Sequence, residues 1–127
     1  MTQPIPKHKR KPDPGYLIWI RQLPCIICAT TGVIAHHHRH GTHAMGMKPD
    51  DRRAIPLCQP HHQALHNTGE TSWWEFYGLD PMQIIAELDR IYEGGTPAEA
   101  AAYVYQQAEI AGKVSLTSDE RPETGEK

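Results

Sequence analysis

The sequence lacks the features that mark membrane-spanning and disulfide-bonded proteins. Three cysteines among 127 residues are an odd number that cannot form a closed disulfide framework, so we expect reduced thiols and a cytoplasmic location. No run of about 18 apolar residues exists, which predicts neither a transmembrane helix nor a membrane partner. The first fourteen residues are polar and proline-rich, and they contain no apolar segment of the kind found in signal peptides.

Large apolar side chains are also scarce. The chain has one phenylalanine, and 39% of its residues are hydrophobic, so it cannot build a large apolar core. Its length suits one domain. A small domain with a limited core gains stability from a bound metal that cross-links it. We therefore expect a single, metal-stabilised domain.

The net charge of -2 argues against a nucleic-acid ligand, but it conceals a strong asymmetry. Residues 1–66 hold nine lysines or arginines and three aspartates, a net charge of +6, together with all nine histidines. Residues 67–127 hold four basic and twelve acidic residues, a net charge of −8. This asymmetry predicts an anionic partner for the first half of the chain.

Composition divides the chain into three predicted segments. Residues 1–14 form a basic, disordered arm, and residues 113–127 form a disordered acidic tail. Residues 15–112 form one domain with a core over 16–78 and a helical extension over 79–112.

Hydrophobic patterning predicts two strands and three helices, hence an α+β fold. The predicted ranges are 33–37 and 53–57 for the strands, and 60–67, 82–92 and 98–111 for the helices. Pro56 indicates an edge strand, and Thr96 with Glu99 forms a capping box for the last helix. Residues 16–23 fit either a strand or a helical turn. The aromatic residues of 73–77 are expected to pack in the core rather than stack on bases.

Two pairs of potential metal ligands predict a structural zinc site. Cys25 and Cys28 form a C-x2-C pair, and thirty positions later Cys58 and His61 form a C-x2-H pair. Two intervening residues let both members of a pair bind one ion, and three sulfurs with one imidazole are a common tetrahedral zinc set. His62, next to His61, is the alternative fourth ligand.

Other histidines predict a second metal centre. His62 and His66 lie four residues apart on a predicted helix and so share a face. His36 and His37 end the first predicted strand and can approach that face, which provides metal ligands together with a spare histidine as general base. His38, His40 and His43 have no assigned role beyond loop contacts to DNA or adventitious metal binding.

Together these motifs resemble the HNH endonuclease superfamily, also called the ββα-metal or His-Me finger nucleases. Within it, the sequence is most similar to phage and prophage proteins related to the Ref recombination-enhancement nuclease. The motifs are Leu23-Pro24-Cys25-x2-Cys28, Ala35-His36-His37, Gly46-Met47-Lys48-x2-Asp51 and Ile55-Pro56-Leu57-Cys58-x2-His61-His62-x3-His66. They lie within residues 16–78, about half the chain.

The resemblance implies a small ββα-metal core with a zinc knuckle, followed here by C-terminal helices. It implies a structural Zn²⁺ and one catalytic divalent cation, which is Mg²⁺, Mn²⁺ or Zn²⁺. His37 would be the general base, His36 a metal ligand or the second candidate base, and His62 and His66 metal ligands. Asp51 would orient the base, bind the metal or cap a turn. Arg53 stands where many members have asparagine.

The resemblance further implies hydrolysis of DNA phosphodiester bonds, and possible dependence on a RecA-type recombinase filament. The alternative is a non-catalytic, zinc-stabilised DNA-binding or recombination accessory module. Basic residues on the arm and around the long loop are candidate phosphate contacts. They are Lys9, Arg10, Lys11, Arg39, Lys48, Arg52 and Arg53.

Overall fold

A computed structural model of the chain describes residues 12–38 and 50–117, with side chains up to residue 113. These residues form a mixed α+β fold, as the sequence predicts. The elements are α1 (Pro14–Arg21), β1 (Ile34–His37), a 3₁₀ turn (Asp51–Arg53), β2 (Ala54–Leu57), α2 (Gln59–Thr68), α3 (Glu70–Tyr77), α4 (Pro81–Gly94) and α5 (Pro97–Thr117).

The two strands form an antiparallel hairpin in the predicted positions. Ile34 pairs with Leu57, and His37 pairs with Ala54 at the other end of the ladder. Each strand is therefore an edge in this two-stranded sheet, which explains how Pro56, with no N–H to donate, is tolerated. The carbonyl of Pro56 instead accepts a hydrogen bond from the Ile26 N–H at 3.0 Å, which connects the Cys25–Cys28 turn to the hairpin.

The segment 16–23, open to two interpretations from sequence, is mostly helical. Helix α1 begins at Pro14, and the Asp13 side chain caps it by accepting a hydrogen bond from the Tyr16 N–H at 3.2 Å. Tyr16 and Ile20, one turn apart, are fully buried. The predicted arm boundary at residue 14 is therefore wrong, because residues 12–14 belong to the folded part, whereas residues 1–11 lie outside the described residues.

The C-terminal helices follow the prediction closely, with one correction at the end of α5. The Thr96 hydroxyl accepts a hydrogen bond from the Glu99 N–H at 3.1 Å, as a capping residue should. Helix α5 continues to Thr117, so the tail predicted from residue 113 begins too early. Residues 113–117 contain neither glycine nor proline, and nothing local ends the helix there.

The aromatic run 73–77 forms a helix that the sequence analysis did not predict. Gly69, with φ of 106°, ends α2 and directly precedes α3. Trp73, Trp74 and Tyr77 are at most 3% exposed, which confirms their prediction as core residues. In the described parts of the chain, every helix is too short or too polar to cross a bilayer.

Candidate metal centres and active site

The Cys25–Cys28 turn and the start of α2 bring four metal-ligating side chains together. One donor atom from each of Cys25, Cys28, Cys58 and His61 lies within 4.8 Å of the others. The turn is shaped by hydrogen bonds from Ala29 N–H to the Cys25 carbonyl at 2.8 Å and from Cys25 N–H to the Thr30 carbonyl at 2.9 Å. The three cysteines form no disulfide. This cluster can bind a metal such as zinc.

The spacing of the donor atoms fits a tetrahedral zinc ion. With Zn–S near 2.3 Å, two sulfurs on one tetrahedral ion lie about 3.8 Å apart, and Cys28 Sγ and Cys58 Sγ are 3.8 Å apart. A sulfur and a nitrogen on the same ion lie about 3.6 Å apart. His61 Nδ1 is 3.2 Å from Cys58 Sγ and 3.8 Å from Cys25 Sγ. The imidazole that lies in this cluster is therefore that of His61, whereas His62 belongs to a different group of histidines.

Burial controls the protonation of the cluster when no metal is bound. It raises the pKa of the Cys25 thiol to about 12 and raises the pKa of Cys58 as well. Burial also acts on Cys28, but hydrogen bonds involving Thr30, Cys25 and Cys58 together outweigh it and lower the pKa of this thiol. Burial lowers the pKa of His61. Metal binding must therefore displace protons from thiols rather than from the imidazole.

A second cluster joins β1 to α2 and contains three of the predicted metal ligands. His62 and His66 face each other across one helical turn, with their Nε2 atoms 3.1 Å apart. The His36 ring centroid lies 5.1 Å from that of His62 and 6.1 Å from that of His66. One nitrogen of each lies within 4.8 Å of the others. Two nitrogens on a shared tetrahedral zinc lie about 3.3 Å apart, so the cluster can hold one ion.

The electrostatics of this cluster suit a metal. Burial lowers the pKa of His62 to about 4, with further lowering by His36 and His66 and a smaller, opposing effect of Glu70. His62 is therefore neutral at pH 7, which is the state that ligates a cation. His66 is exposed, so the cluster opens to solvent on one side.

His37, the predicted general base, contacts a different carboxylate from the one that its neighbour His36 contacts. Its Nε2 lies 2.9 Å from Oδ1 of Asp51, while the other carboxylate oxygen accepts a hydrogen bond from the Asp13 N–H at 2.8 Å. Asp51 is 2% exposed and His37 28% exposed. Of the three roles considered for Asp51, this geometry matches that of orienting His37.

Glu70 is a member of the site that sequence reasoning missed. Its Oε2 atom lies 2.8 Å from both His36 Nε2 and His38 Nδ1. Burial opposes ionisation of this carboxyl, but the hydrogen bonds from His36 and His38 outweigh it and hold its pKa far below the usual range. The sequence held only a weak signal, the spacing of two residues between His36 and His38, which places both side chains on one side of extended backbone.

His38 and Arg52 differ from their predicted roles. His38 is not a surface loop residue available to DNA, because it is 2% exposed and bonded to Glu70. The Arg52 guanidinium is bound to the carboxylates of Asp13, Asp89 and Glu93 and lies over the rings of Tyr16 and Tyr92. The prediction that Arg52 contacts phosphate is therefore wrong, since its charge is neutralised within the fold.

Of the other residues predicted to contact DNA, the structure describes only Arg53. Arg53 donates from Nε to the His38 carbonyl at 3.2 Å and also contacts Met82, so it connects β1 to α4. The remaining candidates and two unassigned histidines lie outside the described residues. They are Lys9, Arg10, Lys11, Arg39, Lys48, His40 and His43.

Comparison with known proteins places the chain in a family. A family model described as "Protein of unknown function (DUF968)" matches residues 2–95, and the chain belongs to this family. It is also similar to the protein named "Uncharacterized protein YdfU" of Escherichia coli (strain K12), with 33% identity over 87 residues. That match covers 68% of this chain and 25% of the relative, so the chain spans about a quarter of the relative's length. No solved structure matches.

Proposed function

We propose that the chain is a metal-dependent endonuclease of the HNH type that hydrolyses DNA phosphodiester bonds. One observation carries the proposal: the adjacent β1 residues His36 and His37 belong to two different groups of interacting side chains. His36 joins His62 and His66 in a cluster able to hold one ion, and His37 is hydrogen-bonded to Asp51. A metal centre with an oriented histidine beside it is the arrangement that hydrolysis of a phosphodiester needs.

The side chains divide the chemistry between them. A divalent cation held by His36, His62 and His66 would polarise the scissile phosphate and stabilise the leaving oxygen. With its Nε2 proton donated to Asp51, a neutral His37 has its lone pair on Nδ1, where it can accept a proton from water. By resemblance, water attacks in line, the bond to the 3′ oxygen breaks, and a 5′ phosphate remains.

The cluster of Cys25, Cys28, Cys58 and His61, called the knuckle below, supports this arrangement by linking the hairpin to α2. Cys58 directly precedes α2 and His61 lies in its first turn, one residue before His62. The Ile26 N–H bonds the Pro56 carbonyl at 3.0 Å, which connects the knuckle to β2. The rings of Trp73 and Tyr77 each lie 6.2 Å from the His61 ring. A structural zinc here would fix α2 against the hairpin.

DNA binding is proposed to depend on the basic half of the chain. The candidates for phosphate contact, once Arg52 is set aside, are Lys9, Arg10, Lys11, Arg39, Lys48 and Arg53. The acidic helices α4 and α5 would repel a phosphate backbone, so we assign them to bracing the core or contacting protein. By resemblance alone, a RecA-type filament is the candidate protein partner, and phage or prophage origin is the expected context.

A cleavage assay tests the proposal against its alternative, a non-catalytic zinc-stabilised DNA-binding or recombination accessory module. Supercoiled plasmid is incubated with the zinc-loaded protein and Mg²⁺ or Mn²⁺, with and without EDTA. A parallel arm supplies single-stranded DNA coated with RecA. Metal-dependent cutting in either arm supports the nuclease, and cutting only with RecA supports the filament-dependent form. DNA binding without cutting in any arm supports the accessory module and overturns the proposal.

A further inference from the structure

Glu70, the first residue of α3, connects this helix to His36 on β1 and to His38 directly after the strand. A single carboxylate oxygen, Oε2, lies 2.8 Å from both His36 Nε2 and His38 Nδ1. His36 is 4% exposed, His38 2% and Glu70 15%. The contact spans 34 residues of sequence between His36 and Glu70, so it fixes tertiary structure rather than local conformation.

We propose that Glu70 is a positioning residue for the catalytic metal centre, acting through His36. The inference rests on the proposed function and deepens it. A carboxylate that accepts the Nε2 proton of His36 fixes the rotation of the imidazole ring. It also selects the tautomer whose other ring nitrogen carries the lone pair that a cation needs.

The charge of Glu70, and not only its shape, contributes to this role. Metal-ligating histidines usually donate their second N–H to a carboxylate, a carbonyl or water, and a carboxylate there makes the imidazole a stronger donor to the metal. Glu70 holds His38 through the same oxygen, so the chain is fixed within β1 at His36 and directly after the strand at the buried His38. Neither Asp51 nor His37 takes part in these two contacts.

Mn²⁺ binding measures the positioning role without requiring cleavage. Mn²⁺ competes poorly with zinc for thiolates, so it reports on the histidine cluster of protein whose knuckle holds zinc. Loss of the free Mn²⁺ EPR signal during titration gives the affinity. Glu70→Gln keeps the shape of the side chain and removes its charge. Glu75→Gln, an exposed change on the same helix α3, is the matched control.

We expect Glu70→Gln to weaken Mn²⁺ binding about 10- to 100-fold. Its zinc content and circular dichroism spectrum should be unchanged. The control Glu75→Gln should bind Mn²⁺ with the wild-type affinity. Glu70→Gln with wild-type affinity overturns the positioning role. In the same preparations, wild-type protein that binds Mn²⁺ but cuts DNA neither alone nor with the RecA-coated strand overturns the proposed nuclease function and leaves the positioning role standing.

A second measurement needs no variant and remains informative if Glu70→Gln fails to fold. Long-range ¹H–¹⁵N correlation spectra of the wild-type chain distinguish the two neutral tautomers of a histidine. We expect His36 to carry its proton on Nε2 and His38 to carry its proton on Nδ1. A His36 proton on Nδ1 would leave no lone pair on the nitrogen that must bind the cation, and it overturns the proposal.

Discussion

The imidazole Nε2 of His37 lies 2.9 Å from Oδ1 of Asp51, a carboxylate that is only 2% exposed. This pair orients the residue proposed to activate water. Asp51→Asn replaces the charged acceptor with an amide of the same shape, so it should lower kcat for plasmid cleavage about 10- to 100-fold and leave KM nearly unchanged. Single-turnover and steady-state cleavage assays measure the two constants.

Asp51 also accepts a hydrogen bond from the Asp13 N–H at 2.8 Å, so the same variant needs a control for stability. The zinc content, the thermal midpoint and the Mn²⁺ affinity of Asp51→Asn should be determined beside its activity. A folded Asp51→Asn that binds Mn²⁺ normally and cuts DNA at the wild-type rate would contradict the orienting role.

The adjacent residues His61 and His62 are predicted to serve two different ions. His61→Ala should lose the knuckle zinc and lower the thermal midpoint by more than about 10 °C, because structural zinc contributes many kcal/mol to small domains. His62→Ala should retain zinc and the wild-type midpoint but lose high-affinity Mn²⁺ binding. Elemental analysis and Mn²⁺ titration measure both. The opposite pattern would place His62 in the knuckle.

Zinc binding to the knuckle is predicted to release protons and to weaken as the pH falls. Burial raises the pKa of Cys25 to about 12 and also raises that of Cys58, so both thiols are protonated at pH 7 and must ionise to bind. Release of at least these two protons makes the zinc affinity rise at least about 100-fold per pH unit. Chelator competition between pH 6 and 8 measures the slope, and a slope clearly below two protons would disagree with this account.

Arg52 is predicted to stabilise the fold rather than bind DNA. Arg52→Ala removes three ion pairs and two aromatic contacts and should cost about 1–2 kcal/mol of unfolding free energy, mainly from the ring contacts and packing. Arg90→Ala, which removes two exposed ion pairs, should cost clearly less, because solvent screens such pairs.

Urea denaturation compares the two variants. DNA affinity measured against salt concentration then tests the second half of the prediction. The slope of log affinity against log salt concentration should be the same for Arg52→Ala and the wild type, whereas loss of a phosphate contact would lower the magnitude of this slope by about one.

Local sequence signals predict much of the fold because they act over a few residues. Capping by Thr96 and strand patterning in the hairpin both appear where expected. The two groups of potential metal ligands could be predicted for the same reason, since C-x2-C, C-x2-H and i,i+4 histidine spacings place donors on one turn or one helix face.

The contacts that sequence reasoning missed join residues far apart in the chain. Glu70 meets His36 across 34 residues, and Arg52 meets Asp89 across 37. No local sequence pattern identifies which distant residue each of these will contact. An arginine beside a predicted nuclease loop is therefore interpreted as a phosphate contact until the structure shows its carboxylate partners. The sequence patterns also predict no helix between residues 67 and 82, because a glycine such as Gly69 indicates the end of one helix without indicating that another begins directly after it.

Cleavage of supercoiled plasmid by His37→Ala tests the central claim most directly. Both the variant and the wild type are prepared with one zinc in the knuckle and assayed under single-turnover conditions with Mn²⁺, after their Mn²⁺ affinities have been shown to agree. The account predicts metal-dependent cutting by the wild type and a rate at least about 100-fold lower for His37→Ala. Equal rates for the two proteins would contradict it.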